Sequence, residues 1–281
     1  MPTPFQHLVY AKMILEDSRL PDTLRERLQR NAGAFFLGNT AADVQTVTGE
    51  RRVSTHFFAI PPSGNPRGEV AMLHTYPTLS DPAMLAPEHA AFISGYLAHL
   101  TWDQRWAWDI YCRYYWNAPD GSWLDSTVEH NALRVLLDRQ SETMLQSMPW
   151  ILDALREVQP DSWLPFADGT ALQIWQGWIV EQLAHPGSSQ TAEVFAARNG
   201  VPVVQMELAT QRLRAQAESA AAPAPFHAVA PYEIYALQES IAVLCRFWRC
   251  EPVSFEQNHP WLDNLTLSPV PAQPTMLESP G

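Results

Sequence analysis

Cysteine is scarce in this chain: three among 281 residues, Cys112, Cys245 and Cys250, with no C-x-x-C pair. So small and odd a set excludes a disulfide framework and a thiolate zinc site, and any metal must be held by histidine and carboxylate. Basic residues are few as well, 18 Lys and Arg against 30 Asp and Glu, giving a formal charge of -12. A surface of that sign does not neutralise phosphates along a nucleic acid, so no nucleic-acid partner is expected. Long apolar runs are missing. Each candidate meets a charge or a proline before the ~20 residues that cross a bilayer, so no transmembrane segment is expected. Met1 to Leu15 has no basic n-region and carries His7 and Lys12 where an apolar segment would lie, which predicts a cytoplasmic protein without a secretory leader. The chain contains no G-x-S-x-G, G-x-x-x-x-G-K, G-x-G-x-x-G or H-E-x-x-H. Their absence argues against the α/β-hydrolase, P-loop, dinucleotide-binding and zincin classes. No histidine is directly followed by aspartate, which disfavours an HD-type phosphohydrolase.

Proline, by contrast, is plentiful, and its 24 copies cluster. Proline stops helices, so the clusters mark joints. Pro61 to Pro87 reads as a long irregular excursion and Ala222 to Pro231 as an extended spacer. Pro119-Asp120-Gly121 is a minor joint, and 256–281 is a Pro-rich tail. Between the joints apolar residues recur three and four apart, as at Leu8, Ala11, Ile14 and Leu15, which predicts helices. Further helices are expected at Asp22 to Arg30, Pro87 to Tyr115, Pro149 to Val158, Thr170 to Leu183, Gln190 to Glu218 and Tyr232 to Trp248. Another is expected after the capping residues Asp125-Ser126-Thr127. Strand-like alternation is hard to find. With 46% hydrophobic residues the chain has enough to bury a sizeable core, and the expectation is an all-α protein with long irregular loops. Residues 1–140 would hold the site, and 141–255 would either complete the domain or form a second helical lobe.

One pair of titratable residues has internal geometry. His99 and Asp103, in G-Y-L-A-H-L-T-W-D-Q, are four apart on a helical segment, so their side chains share one face. That face continues through Trp106 and Ile110, which turns the pair into the protein. It is either a histidine bonded to its own aspartate inside a bundle or half of a metal site. Further ligands for the second case are available at His7, on the inward face of the first helix, at Asp43 after a glycine-bearing turn, and at His56 in S-T-H-F-F. Each also has a plain reading: a partly buried histidine, a helix cap and a loop residue. Arg51 and Arg52 would either grip a phosphate or sit on a solvated turn. The tryptophans of Trp163 to Trp178 would pack the core or line an apolar cleft.

In order, the early histidine, G-x-x-x-x-D, T-H-F and G-Y-L-A-H-L-x-x-D resemble the zinc-dependent phospholipase C family, related in fold to the S1/P1 nucleases. The resemblance covers about residues 1–140. It implies a single multi-helix domain of that type, a zinc cluster, and hydrolysis of a small phosphoester or phospholipid headgroup. Carried across, His99, Asp103, His56 and Asp43 would share one zinc, and His7 and Asp103 a neighbouring one, with Asp103 bridging. Asp43 would be the catalytic residue that takes a proton from water. The family's remaining zinc uses a histidine soon after the H-x-x-x-D aspartate and a later H-x-x-x-E. Here Asp109 stands near the first place, and His130 is followed by Arg134. One or two zinc ions are therefore implied, with His130 as a further ligand or a structural histidine. The alternative to a hydrolase is a non-catalytic, metal-stabilised helical binding module that has lost part of the cluster.

Overall fold

Small and apolar residues occupy every side of the segment from Pro87 to Trp106, and from Ala90 onward all of its residues are buried. A helix apolar all round belongs at a centre rather than on a surface, and this one is the axis of the fold. The computed structural model describes residues 1–61, 67–116, 123–185, 187, 189–218 and 224–250. Among them the protein is all-α, with no β-strand beyond an isolated bridge between Leu164 and Ala167. No helix among the described residues is long and apolar enough to cross a membrane.

In chain order the helices are α1 (Pro4–Glu16), α2 (Asp22–Arg30), α3 (Ala32–Ala41), α4 (Gln45–Thr48), α5 (Val53–His56), α6 (Gly68–Thr75), α7 (Pro87–Trp106), α8 (Cys112–Tyr114), α9 (Trp123–Gln146), α10 (Pro149–Glu157), α11 (Gly169–Ala184), α12 (Thr191–Asn199), α13 (Val203–Ala217) and α14 (Ala224–Trp248). A 3-10 turn, Ala42–Val44, joins α3 to α4. The main core takes residues from α1, α2, α3, α7, α9, α10, α11 and α14, so most of the later helices complete the same core as the first half. A separate smaller core joins Val128, Ala132 and Val135 of α9 to Ala192, Phe195 and Ala196 of α12 and Met206 and Ala209 of α13.

Helices α3 and α7 approach each other very closely. A Cβ on Gly38 would lie 2.0 Å from the Phe92 carbonyl oxygen, and one on Gly95 would lie 2.2 Å from the Phe35 carbonyl oxygen. Only hydrogen at both positions lets the two backbones touch. Gly38 is thus a helix-contact residue and not the turn expected before Asp43; α3 runs on to Ala41 and Asp43 leaves it through the 3-10 turn.

Other boundaries also differ from expectation. The segment Gln190 to Glu218 is two helices, because Gly200 takes a left-handed conformation (φ 64°) after α12 and Pro202 precedes α13. The supposed extended spacer is helical from Ala224, with Pro231 inside α14. There the buried Val229 and Tyr232 anchor the turn on either side of the proline, so packing overrides the missing donor. Helix α9 already begins at Trp123, ahead of the expected caps. The Pro61–Pro87 excursion contains α6 and two 3-10 turns. The long helix expected to Tyr115 changes at Trp106 into a π-turn, Ala107–Tyr111, before α8. The Pro-rich tail and the Pro119 joint lie outside the described residues.

Candidate metal centre

Local sequence decides how each donor arrives. Pro4 at the first helical position and Gln6, whose Oε1 accepts from the Thr3 backbone N–H at 3.1 Å, start α1 so that His7 falls in its second turn. His56 ends the short α5, and Phe57 behind it is left-handed (φ 60°), which breaks the helix at the histidine. His99 and Asp103 share one face of α7. Asp43 comes from the turn after α3, next to His99 because of the glycine contact between α3 and α7.

His7, Asp43, His56, His99 and Asp103 meet although they span almost a hundred residues. Asp103 is their centre. Its Oδ1 is 3.2 Å from His7 Nε2, and its Oδ2 is 3.2 Å from His56 Nε2 and 3.6 Å from His99 Nε2. His56 Nε2 lies 3.3 Å from His99 Nε2 and 3.6 Å from Asp43 Oδ1. The His7 and His99 rings stack with centroids 3.8 Å apart. Two sets of donors, His7, His99 and Asp103, and Asp43, His56 and His99, each lie within 4.8 Å of one another and can hold a metal ion. Two ligands bonded tetrahedrally to one ion at ~2.1 Å stand about 3.4 Å apart, which is the spacing seen here.

The decisive geometry is at the two facing imidazoles. His99 Nδ1 is 2.7 Å from the Asn39 carbonyl oxygen, an acceptor only, so Nδ1 carries the proton and Nε2 presents a lone pair. His56 Nδ1 faces the Arg52 carbonyl at 3.3 Å and the Thr55 hydroxyl at 3.0 Å, which assigns the same tautomer. With His99 neutral, two lone pairs would oppose each other at 3.3 Å in the buried core, so the position calls for positive charge, either a metal ion or a proton on His99 Nε2, which Asp103 favours. His7 Nδ1 is buried without a partner.

Electrostatics agree with a cation site. Burial pushes His7 down to about 4, helped by His99, and burial together with the Arg52 charge does the same to His56. Burial also opposes charge on His99, but the Asp103 carboxylate outweighs it and raises that pKa. The burial penalty on Asp103 is overcome by His99, His56 and His7, which hold it well below the usual carboxylate range; His99 and His56 likewise lower Asp43. Two ionised carboxylates thus face mostly neutral imidazoles. Arg52 supplies one compensating charge through Nη2, 2.5 Å from Asp103 Oδ2, with its guanidinium 4.6 Å over the Phe58 ring. Of the two arginines noted in the sequence, Arg51 is exposed and Arg52 joins the site.

His130 belongs to neither donor set. Its Nε2 accepts from Trp106 Nε1 at 2.9 Å, between the Tyr111 and Tyr115 rings, and burial holds its pKa well below normal. Asp109, in the π-turn, pairs with Arg105 at 2.6 Å, and Arg134 donates through Nε to the Met1 carbonyl. Sequence reasoning missed the Asn39 carbonyl, which no residue type announces. It also missed the chain in which Gln45 bonds both Asp43 (3.4 Å) and Thr55 (2.8 Å). Compared with family models, curated proteins and solved structures, the chain matches none.

Proposed function

We propose that the protein is a zinc-dependent hydrolase that cleaves phosphoester bonds, as its resemblance to zinc-dependent phospholipase C implies. The observation that carries the metal half of this reading is the pair of facing Nε2 atoms of His56 and His99, each with its Nδ1 committed to a fixed acceptor. Nitrogen and carboxylate donors without thiolate suit zinc. His99 has a single lone pair, on Nε2, and so serves one ion: as the resemblance implies, Asp43, His56, His99 and Asp103 would hold one ion and His7 with the other Asp103 oxygen a neighbouring one. Zinc in such a set lowers the pKa of water toward ~7 and polarises a phosphoryl oxygen.

The chain's own residues do the rest. Asp43, kept ionised by the neighbouring histidines and 22% exposed against 1% for Asp103, is the carboxylate that would accept the proton. Gln45 steadies it from one side through Nε2. Asp103, almost fully buried, orients His7 and His56 and has no exposure through which to shuttle protons. Arg52 is a positive group at the edge of the cluster that can meet a substrate phosphate.

A second reading, the metal-stabilised module without turnover, draws on His130, whose donor atom is taken by Trp106, and on Arg134, which stands where the resembled family has a glutamate. Elemental analysis of protein purified without chelator, combined with hydrolysis of phosphodiesters and phosphomonoesters, lipid and soluble, separates the two. The hydrolase should hold one or two zinc ions and release product only when loaded. Asp43→Asn should keep most of the metal and lose ~10²- to 10⁴-fold in rate. Zinc without turnover on any substrate would leave the module, and protein without stoichiometric metal would remove both.

A further inference from the structure

Beside the metal centre lies a cleft that the cluster itself does not use. Asp43 forms part of its wall, together with Arg134 of α9, Arg198 of α12, and Trp175 and Trp178 of α11. Among the described residues neither arginine forms an ion pair. Arg134 Nη1 donates to Asn131 Oδ1 at 2.8 Å and its guanidinium lies 4.0 Å over the Phe195 ring; Arg198 Nη2 donates to Thr46 Oγ1 at 3.1 Å. The two guanidiniums line one cleft with neutral hydrogen-bond partners, and the charges of Asp43 and Asp103 only partly offset burial and their mutual repulsion at Arg134, so the cleft can take an anion. Arg134 feels this directly: burial and the nearby Arg198 lower its pKa to about 10, so it keeps its charge at neutral pH. The other carboxylate in the wall, Asp138, is engaged by the Ser189 and Thr191 hydroxyls, each at 2.7 Å, and burial raises its pKa. Part of the wall is aromatic, with Trp175 fixed by its Nε1, which donates to Thr40 Oγ1 at 3.1 Å.

We propose that this cleft is the substrate seat, and that it takes an amphiphilic phosphoester whose anionic group lies between Arg134 and Arg198 and whose apolar portion rests on Trp175 and Trp178. The proposal rests on the hydrolase reading, and it adds to that reading four binding residues, Arg134, Trp175, Trp178 and Arg198, outside the metal donors. Asp43 is common to cleft and cluster, so a substrate seated by its anionic end would present its ester to the proposed proton acceptor. Arg134 and Arg198 are binding residues in this scheme, and neither exchanges a proton.

The test is calorimetric titration of the full chain, stripped of metal, with phenylphosphonate and methylphosphonate, whose carbon–phosphorus bonds do not hydrolyse. Phenylphosphonate should bind about tenfold or more tightly than methylphosphonate, because the ring is buried on tryptophan. Arg198→Gln, on an exposed side chain whose loss does not threaten the fold, should weaken binding by about tenfold, and raising the salt should weaken it further. Arg134→Gln should do the same; Arg214→Gln, at an exposed pair with Glu218, should change nothing. Absence of binding, equal affinity for the two phosphonates, or affinity unchanged by Arg198→Gln would overturn the seat. Binding as described in a protein that never turns over a phosphoester would leave the seat standing and remove the hydrolase. Turnover by a zinc-loaded protein indifferent to both arginines would do the reverse.

Discussion

Replacing Gly95 by alanine adds one methyl group at the point where α3 and α7 touch, 2.2 Å from the Phe35 carbonyl oxygen and 2.8 Å from the Asn39 backbone nitrogen. Ordinary contact requires the helices to part by roughly 1 Å, and overpacking of this kind costs about 1–3 kcal/mol. The same displacement stretches the 2.7 Å bond from His99 Nδ1 to the Asn39 carbonyl beyond hydrogen-bond reach and leaves two buried polar groups without partners, another 1–3 kcal/mol or so. The expected total is about 2–6 kcal/mol, or a melting temperature lower by roughly 5–20 °C for a chain of this size. His99 also loses what fixes its tautomer, so zinc affinity should fall by about 10- to 100-fold. Gly177→Ala is the internal control: nothing lies within 4 Å of its would-be Cβ in α11, and a mid-helix alanine there should be neutral or stabilising by up to ~1 kcal/mol. Thermal melts of metal-free protein and zinc titration against a chromophoric chelator read both effects. If Gly95→Ala melts within 1 °C of wild type and binds zinc equally well, the helix contact does not position His99 and the reasoning fails.

Chelation should lower the melting temperature by several degrees, and zinc should restore it, because ion binding at a hundred times its dissociation constant adds about 2.7 kcal/mol; an unchanged curve would count against the centre. Arg52→Gln should destabilise metal-free protein by about 1–3 kcal/mol, since Asp103 loses a guanidinium partner, and zinc-loaded protein by less; equal losses in the two states would show that Arg52 and the ion do not share that carboxylate. For metal-free protein the pH profile has a definite sign. His7 and His56 titrate near 4 when folded against 6.5 when unfolded, so their contribution is complete above 6.5 and is lost as pH falls toward 4, about 3 kcal/mol for each. His99, with a raised pKa, stays protonated through that window and does not offset the loss. Denaturant unfolding at a series of pH values should trace this decline, and a flat profile between 6.5 and 4 would contradict the burial of the two rings.

The part of the site that local periodicity controls was legible before any coordinates. His99 and Asp103 are neighbours because a helix repeats every 3.6 residues, and the buried stripe around them gave their direction. The bounds of α2 and, within a residue or two, of α10 and α11 followed from the same signal. What escaped was set by contacts distant in sequence. Gly38 looks like a turn residue in its own neighbourhood, and only Phe92, fifty-four residues away, reveals it as a contact point. The acceptor that orients His99 is a main-chain carbonyl, identical at every position in the chain. Pro231 reads as a helix stop, and the burial of Val229 and Tyr232 reverses that. Arg134 appeared in the sequence as a missing glutamate; its role in the cleft depends on Phe195 and Arg198, on a different helix.

The smaller core that α9 shares with α12 and α13 has a consequence for local stability. Eight buried side chains form that core, whereas α1, α3, α7 and α14 are fastened to a far larger cluster. Amide hydrogens in α12 and α13 should therefore exchange through a partial opening of lower free energy than the global unfolding that exposes α3 and α7. That opening carries Phe195 and Arg198 away from Arg134 and unroofs the cleft next to Asp43. A ligand lodged between the two arginines has to be released before the helices can lift, so it should slow exchange across α12 while leaving the deep amides of α7 as they were. The molecule would then keep its metal donors in a rigid block and reserve its breathing for the helix pair that roofs the cleft.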